Sequence, residues 1–196
     1  SIKGNFDNEI IIPFINYSSK DKIVNVSTDL EINNSVIKLK KFSLSEGKNK
    51  INKTNLFLKD NKLLKMDNLS AKTFIDNKLS NDFEILINKN IKISGLKYDA
   101  SNLTKLVEEK SDSNFLKNIS KEISVNISEV STSVSDVISN FTLIGNIDKG
   151  RFSKIVSKGE FVEGKYLDIS LKQDSTSKRK ILEIYSDLPK SLLSNY

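Results

Sequence analysis

The stretch GEFVEGKYLDISLKQ, residues 159–173, decides the fold. Past Gly164, apolar Leu167, Ile169 and Leu171 alternate with polar Asp168, Ser170 and Lys172, so a strand here carries one greasy face and one wet face. The same period of two recurs in IVNVS (23–27), SVIKLKKFSLS (35–45), NLFLKD (55–60), DFEILIN (82–88), NIKISG (90–95), EISVNIS (122–128), SNFTLIGNI (139–147) and KILEIYS (180–186). Turn formers stand between these runs: Glu46-Gly47-Lys48, Asp60-Asn61-Lys62, Asn88-Lys89-Asn90, Asp148-Lys149-Gly150 and Glu163-Gly164-Lys165. Many short strands joined by tight turns predict a mainly β chain built as a long antiparallel meander.

Two places break the pattern. In YDASNLTKLVEEK (98–110), Leu103, Leu106 and Val107 fall at helical offsets behind the capping candidates Asp99 and Ser101, which predicts one short inserted helix near 100–110. In LPKSLLSNY (188–196), Pro189 suits a first helical turn and predicts a second short helix at the C-terminal end. Gly occurs seven times and Pro only at Pro13 and Pro189, so no linker divides the sequence. Residues 1–196 read as one continuous β region, and a sub-boundary, if there is one, falls near 97–120.

Composition excludes more than it assigns. With 196 residues and 37 % hydrophobic content the chain has enough apolar side chains for a core. The net charge of +6 comes from lysines spread along the sequence, with arginine only at Arg151 and Arg179, and no basic run carries interleaved aromatics; nucleic acid is not an expected partner. Cys and His are both absent, which removes disulfides, thiol nucleophiles, Ser-His-Asp arrangements and the commonest metal ligand. No metal and no cofactor is expected. No run of 18 apolar residues occurs, and SIKGNFDNE lacks the apolar core of a signal peptide, so the chain reads as an excerpt of something longer.

The remaining chemical motifs dissolve on inspection. Ser35 and Lys38, Ser45 and Lys48, and Ser94 and Lys97 have Ser-x-x-Lys spacing, but Ser and Lys are so abundant that chance supplies it. Glu108 and Glu109 are adjacent on the expected helix and diverge by about 100°. Gly145 and Gly150 precede Arg151, and Gly164-Lys165 runs into a strand, so neither forms a phosphate loop. The chain is not expected to be an enzyme.

What remains is the greasy face. Its candidate members are Phe83, Ile85 and Ile87; Ile123, Val125 and Ile127; Phe141 and Leu143; Leu167, Ile169 and Leu171; and Leu182 and Ile184. Period alone leaves two uses open: these side chains pack against one another as a sealed sandwich core, or they line a surface that holds something apolar.

Residues 145–186, followed by DLPKSLLSNY, resemble the C-terminal AsmA-like region of large bacterial envelope proteins of the YhdP and TamB type. The similarity rests on Gly159, Phe161, Gly164, Leu167, Ile169, Leu182, Ser186, Asp187, Leu192 and Leu193, and upstream on SGLKYDASNLTKLVEE (94–109), where Tyr98-Asp99 leads into the helix. It spans about residues 60–196; Asp187-Leu188-Pro189-Lys190 departs from the family tail, which often reads Asp-Asp-x-Gly. The resemblance implies a curved, groove-like sheet whose apolar concave face conducts phospholipid between inner and outer membranes. It also implies a periplasmic location, an inner-membrane anchor outside this chain, and protein partners at both membranes. The alternative is a structural or adhesive β-sandwich or solenoid with its apolar faces sealed.

Overall fold

In a computed structural model, the structure describes residues 2–6, 10–12, 15–19, 24–33, 36–59, 62–102, 119–132, 136–162, 164–174, 176–177 and 179–189. The N-terminal half contributes β1 (Ile2–Phe6), β2 (Ile11–Ile12), β3 (Tyr17–Ser18), β4 (Val24–Asn33), β5 (Val36–Glu46), β6 (Asn49–Lys59) and β7 (Lys62–Lys65). Then come β8 (Asn68–Ile75), β9 (Lys78–Ile87) and β10 (Ile91–Asp99). The C-terminal group is β11 (Lys121–Ser131), β12 (Val137–Asp148), β13 (Arg151–Phe161), β14 (Lys165–Gln173) and β15 (Lys180–Ser186).

Thirteen of these strands form one sheet in the order β1-β4-β5-β6-β8-β9-β10-β11-β12-β13-β14-β15, with β7 paired to β6 beside that path; β2 and β3 make a separate hairpin. The order follows the chain because hairpin turns join successive strands. Gly47, Gly150 and Gly164 sit in three of the expected turns at φ of 55°, 75° and 70°, a region that costs a Cβ-bearing residue and not glycine. The helices expected near 100–110 and at the C-terminal end fall, past residues 102 and 189, outside the described residues.

The meander is antiparallel on both sides of a single parallel step. β10 runs parallel to β11, pairing Ile91 with Ile123 and Asp99 with Ser131. Parallel neighbours need a long crossover, and residues 100–120 supply it. Two further strands, β8 and β13, are absent from the alternation in the sequence for a physical reason. On β13, Ser157 and Gly159 face the apolar side while Phe152 and Val156 face solvent, which blurs the period; on β8 the inward set is Leu69, Ala71 and Thr73.

Register fixes the two faces. Directly paired residues share a face, and one polar ladder crosses the whole sheet: Ser27, Ser43, Asn52, Ser70, Glu84, Ser94, Asn126, Thr142, Lys158, Asp168 and Tyr185. Lys72 pairs with Asp82 at 2.7 Å and Lys97 with Glu129 at 3.1 Å on this side. Such exposed pairs contribute about 0–1 kcal/mol each, so they select partners and register more than they stabilise. The opposite face holds the apolar cluster.

Candidate functional site

All of the apolar candidates read from the sequence lie on that opposite face, in three adjacent rungs. The middle rung runs Thr28, Phe42, Lys53, Leu69, Ile85, Ile93, Val125, Leu143, Ser157, Ile169 and Ile184, each paired to the next across a strand boundary. Two residues along each strand, Ala71, Phe83, Gly95 and Ile127 form a second rung, which continues through Phe141 across a bulge to Gly159 and Leu167. The third contains Ile87, Ile91, Ile123, Gly145, Ile155, Leu171 and Leu182. Because β-strand side chains alternate, a single register error would have sent a strand's set to the wrong side.

Burial along these rungs is graded. Phe83, Ile85, Ile123, Ile127 and, next to the edge strand, Leu167 are buried, and Phe83 meets the Tyr98 ring edge-on at 5.4 Å. Ile87, Val125, Phe141, Leu143, Ile169 and Leu171 are half-buried. Leu182 and Ile184, on the edge strand β15, are 57 % and 55 % exposed. Both sheet edges are unpaired within the sheet, so it is open and not a barrel.

One end of the face is closed by polar clamps that the sequence pattern does not reveal. The turn between β2 and β3 brings Ile15 and Tyr17 into deep burial. Asn81, fully buried, donates through Nδ2 to the Ile15 carbonyl at 2.7 Å and to Thr73 Oγ1 at 2.9 Å, and its Oδ1 accepts from the Asp99 amide at 2.9 Å. Tyr17 donates its hydroxyl to Glu46 Oε2 at 2.8 Å, and Asn49 Nδ2 donates to the same oxygen. Burial pushes the Asp99 carboxyl up, but hydrogen bonds from Ser101, Asn16 and Ser80 outweigh it and hold the group below its ordinary range. Tyr98 beside it is pushed up to about 12, first by burial and then by the Asp99 charge. An open cleft of about 400 Å³ lies next to this closure, between residues 16–18, 46–49 and 73–77.

These clamps tie separate segments of the chain together. Glu46 and Asp99 are both engaged by donors, and among the described residues no group of three or more His, Cys, Asp or Glu is placed to hold a metal. No helix of the described residues is long and apolar enough to cross a membrane.

One charged residue interrupts the middle rung. Lys53 stands on the middle rung between Phe42 and Leu69, where alternation along β6 after Ile51 places it. Loss of water around it lowers its amine from 10.5 to about 8. On the same rung Thr28 Oγ1 and Ser157 Oγ are buried and have no hydrogen-bond partner among the described residues. Comparison with known proteins adds nothing to these features: no family model, no curated protein and no solved structure matches this chain.

Proposed function

We propose that this chain is a non-enzymatic, AsmA-like segment whose apolar sheet face holds and conducts phospholipid between two membranes of a bacterial envelope. One observation carries the reading: three adjacent, largely apolar rungs cross one face of an open sheet, and two of them end at β15 with Leu182 and Ile184 exposed to solvent. Monomeric proteins seldom expose contiguous apolar surface without a use for it.

The physics of the ligand fits that surface. Each strand step advances about 4.8 Å, so three or four steps match the length of one acyl chain, taken as half of a bilayer core about 30 Å thick. Transfer of hydrocarbon from water contributes about 0.8 kcal/mol per methylene, on the order of 10 kcal/mol for a full chain. A trough of this kind moves its cargo by successive apolar contacts and needs no catalytic group.

A sealed structural or adhesive module is the competing reading, and burial of Phe83, Ile85 and Ile127 favours it at the centre of the sheet. Against a sandwich stands the second sheet, which among the described residues is only the β2–β3 hairpin. Photo-crosslinking side chains placed at Leu182, Ile184 and Leu171, with the polar-face position Asp168 as control, separate the two. The chain is expressed in bacteria, irradiated, and analysed by mass spectrometry for phospholipid adducts. Adducts at the three apolar positions and none at Asp168 are expected; equal labelling on both faces, or none at all, overturns lipid conduction.

A further inference from the structure

Lys53 is out of place on a surface built for hydrocarbon. A lysine on an apolar face ordinarily snorkels, burying its methylenes and keeping its amine in water, in which case the amine titrates normally. Here Lys53 is half-buried between Phe42 and Leu69, burial lowers its amine to about 8, and among the described residues it makes no hydrogen bond or ion pair. Of the carboxylates on or just before the adjoining strands β5 and β8, Glu46 is engaged by Tyr17 and Asn49, and Asp67 by Asn55. A dehydrated cation without a counter-charge is costly unless a partner arrives.

Two strands away on the same rung, across Phe42, Thr28 Oγ1 is buried and unpartnered. A hydroxyl and a cation on one rung, both without a partner among the described residues, are complementary to the same thing, an anionic group with several acceptor oxygens. In the other direction the rung is continuously apolar, through Leu69, Ile85 and Ile93. A group of opposite charge at Lys53 would therefore find hydrocarbon contacts extending on one side only.

We infer that Lys53, assisted by Thr28, seats the oxyanion head of an anionic lipid whose chain lies along the middle rung toward β10. The inference rests on the lipid-holding reading above and names the class of lipid. It makes the face selective: neutral lipids of the same chain length gain the hydrocarbon contacts and lose the ion pair.

The test is a binding titration of fluorescently labelled phosphatidylglycerol and of diacylglycerol carrying the same chains and label, with inorganic phosphate as a third probe. The native chain is expected to bind phosphatidylglycerol about tenfold tighter than diacylglycerol, a difference of about 1.4 kcal/mol. Lys53→Met removes the preference, Lys53→Arg retains it, and Thr28→Val lowers it about threefold, while phosphate at millimolar concentration displaces neither lipid. Equal binding of the two lipids by the native chain, or a preference that survives Lys53→Met, overturns the Lys53 assignment and leaves the hydrocarbon trough standing. Displacement by phosphate alone makes the site one for free anions and overturns the lipid as its source. Binding of neither lipid overturns the reading on which the inference is built. Should Lys53→Met fail to fold, the Lys53→Arg and Thr28→Val variants decide the matter.

Discussion

β9 and β15 carry nearly the same sequence pattern and meet opposite fates. In DFEILIN the inward Phe83 and Ile85 are 4 % and 6 % exposed, while in KILEIYS the inward Leu182 and Ile184 are more than half exposed. The first pair sits mid-sheet with neighbours on both sides and near the polar closure at Asn81; the second lies on an edge strand with one neighbour. Alternation therefore chooses the face of a side chain, and position in the sheet chooses how much water it sees. One end of the face behaves as core and the other as surface.

That contrast is open to direct attack. Phe83→Ala removes a buried ring with an edge-on aromatic partner and is expected to destabilise the chain by about 4 kcal/mol, read from urea denaturation. A loss below about 1 kcal/mol would mean the centre of the sheet is no better packed than its edge.

Lys53→Met probes the same face on the other side of β9 from β15, and its effect depends on pH. The folded amine titrates near 8 and the unfolded one near 10.5, so between those values the unfolded chain holds more protons and native stability rises with pH. Below about pH 8 the native chain bears the full cost of the half-buried cation, and Lys53→Met is expected to be more stable at pH 7, by about 1–2 kcal/mol after discounting the shift for solvent screening of the partly exposed amine. The advantage shrinks as pH climbs toward 10.5. Urea midpoints at pH 7 and pH 10 measure it, and a constant difference would place the amine in water.

The smallest effect belongs to the open end. Leu182→Ala is expected to change stability by about 0.5 kcal/mol or less, because the side chain is already mostly hydrated in the folded state. A cost near that of Phe83→Ala would show that the edge strand is packed like the interior.

The β architecture was legible in the sequence because strand period and turn residues report on neighbours within a few positions: Leu167, Ile169 and Leu171, or Ile123, Val125 and Ile127, need no tertiary information to declare a common side. Long-range features left no such trace. The parallel pairing of β10 with β11 depends on where a crossover returns the chain, which residues 90–99 do not encode locally. The role of Asn81 is equally hidden, since its partners Ile15, Thr73 and Asp99 come from separate segments. β13 escaped notice because Gly159 and Ser157 occupy inward positions that pattern reading reserves for large apolar groups. A Cβ at Gly159 would fall 2.3 Å from Ile138 Cγ2, so the smallness there is a packing requirement. Lys53 was concealed by the same logic, as a polar residue at an inward position interrupts a period instead of announcing a site.

The one parallel joint also has a kinetic meaning. Every other junction in the large sheet is antiparallel, most of them closed by a hairpin between strands adjacent in sequence, and such units zip up early because their ends are already close. β10 and β11 are parallel and separated in sequence by residues 100–120, so no tight turn can bring them together. The strands before residue 100 and those after residue 120 are thus two locally assembling stacks whose union awaits one distant encounter, and an apolar face continuous from β4 to β15 exists only once that encounter succeeds.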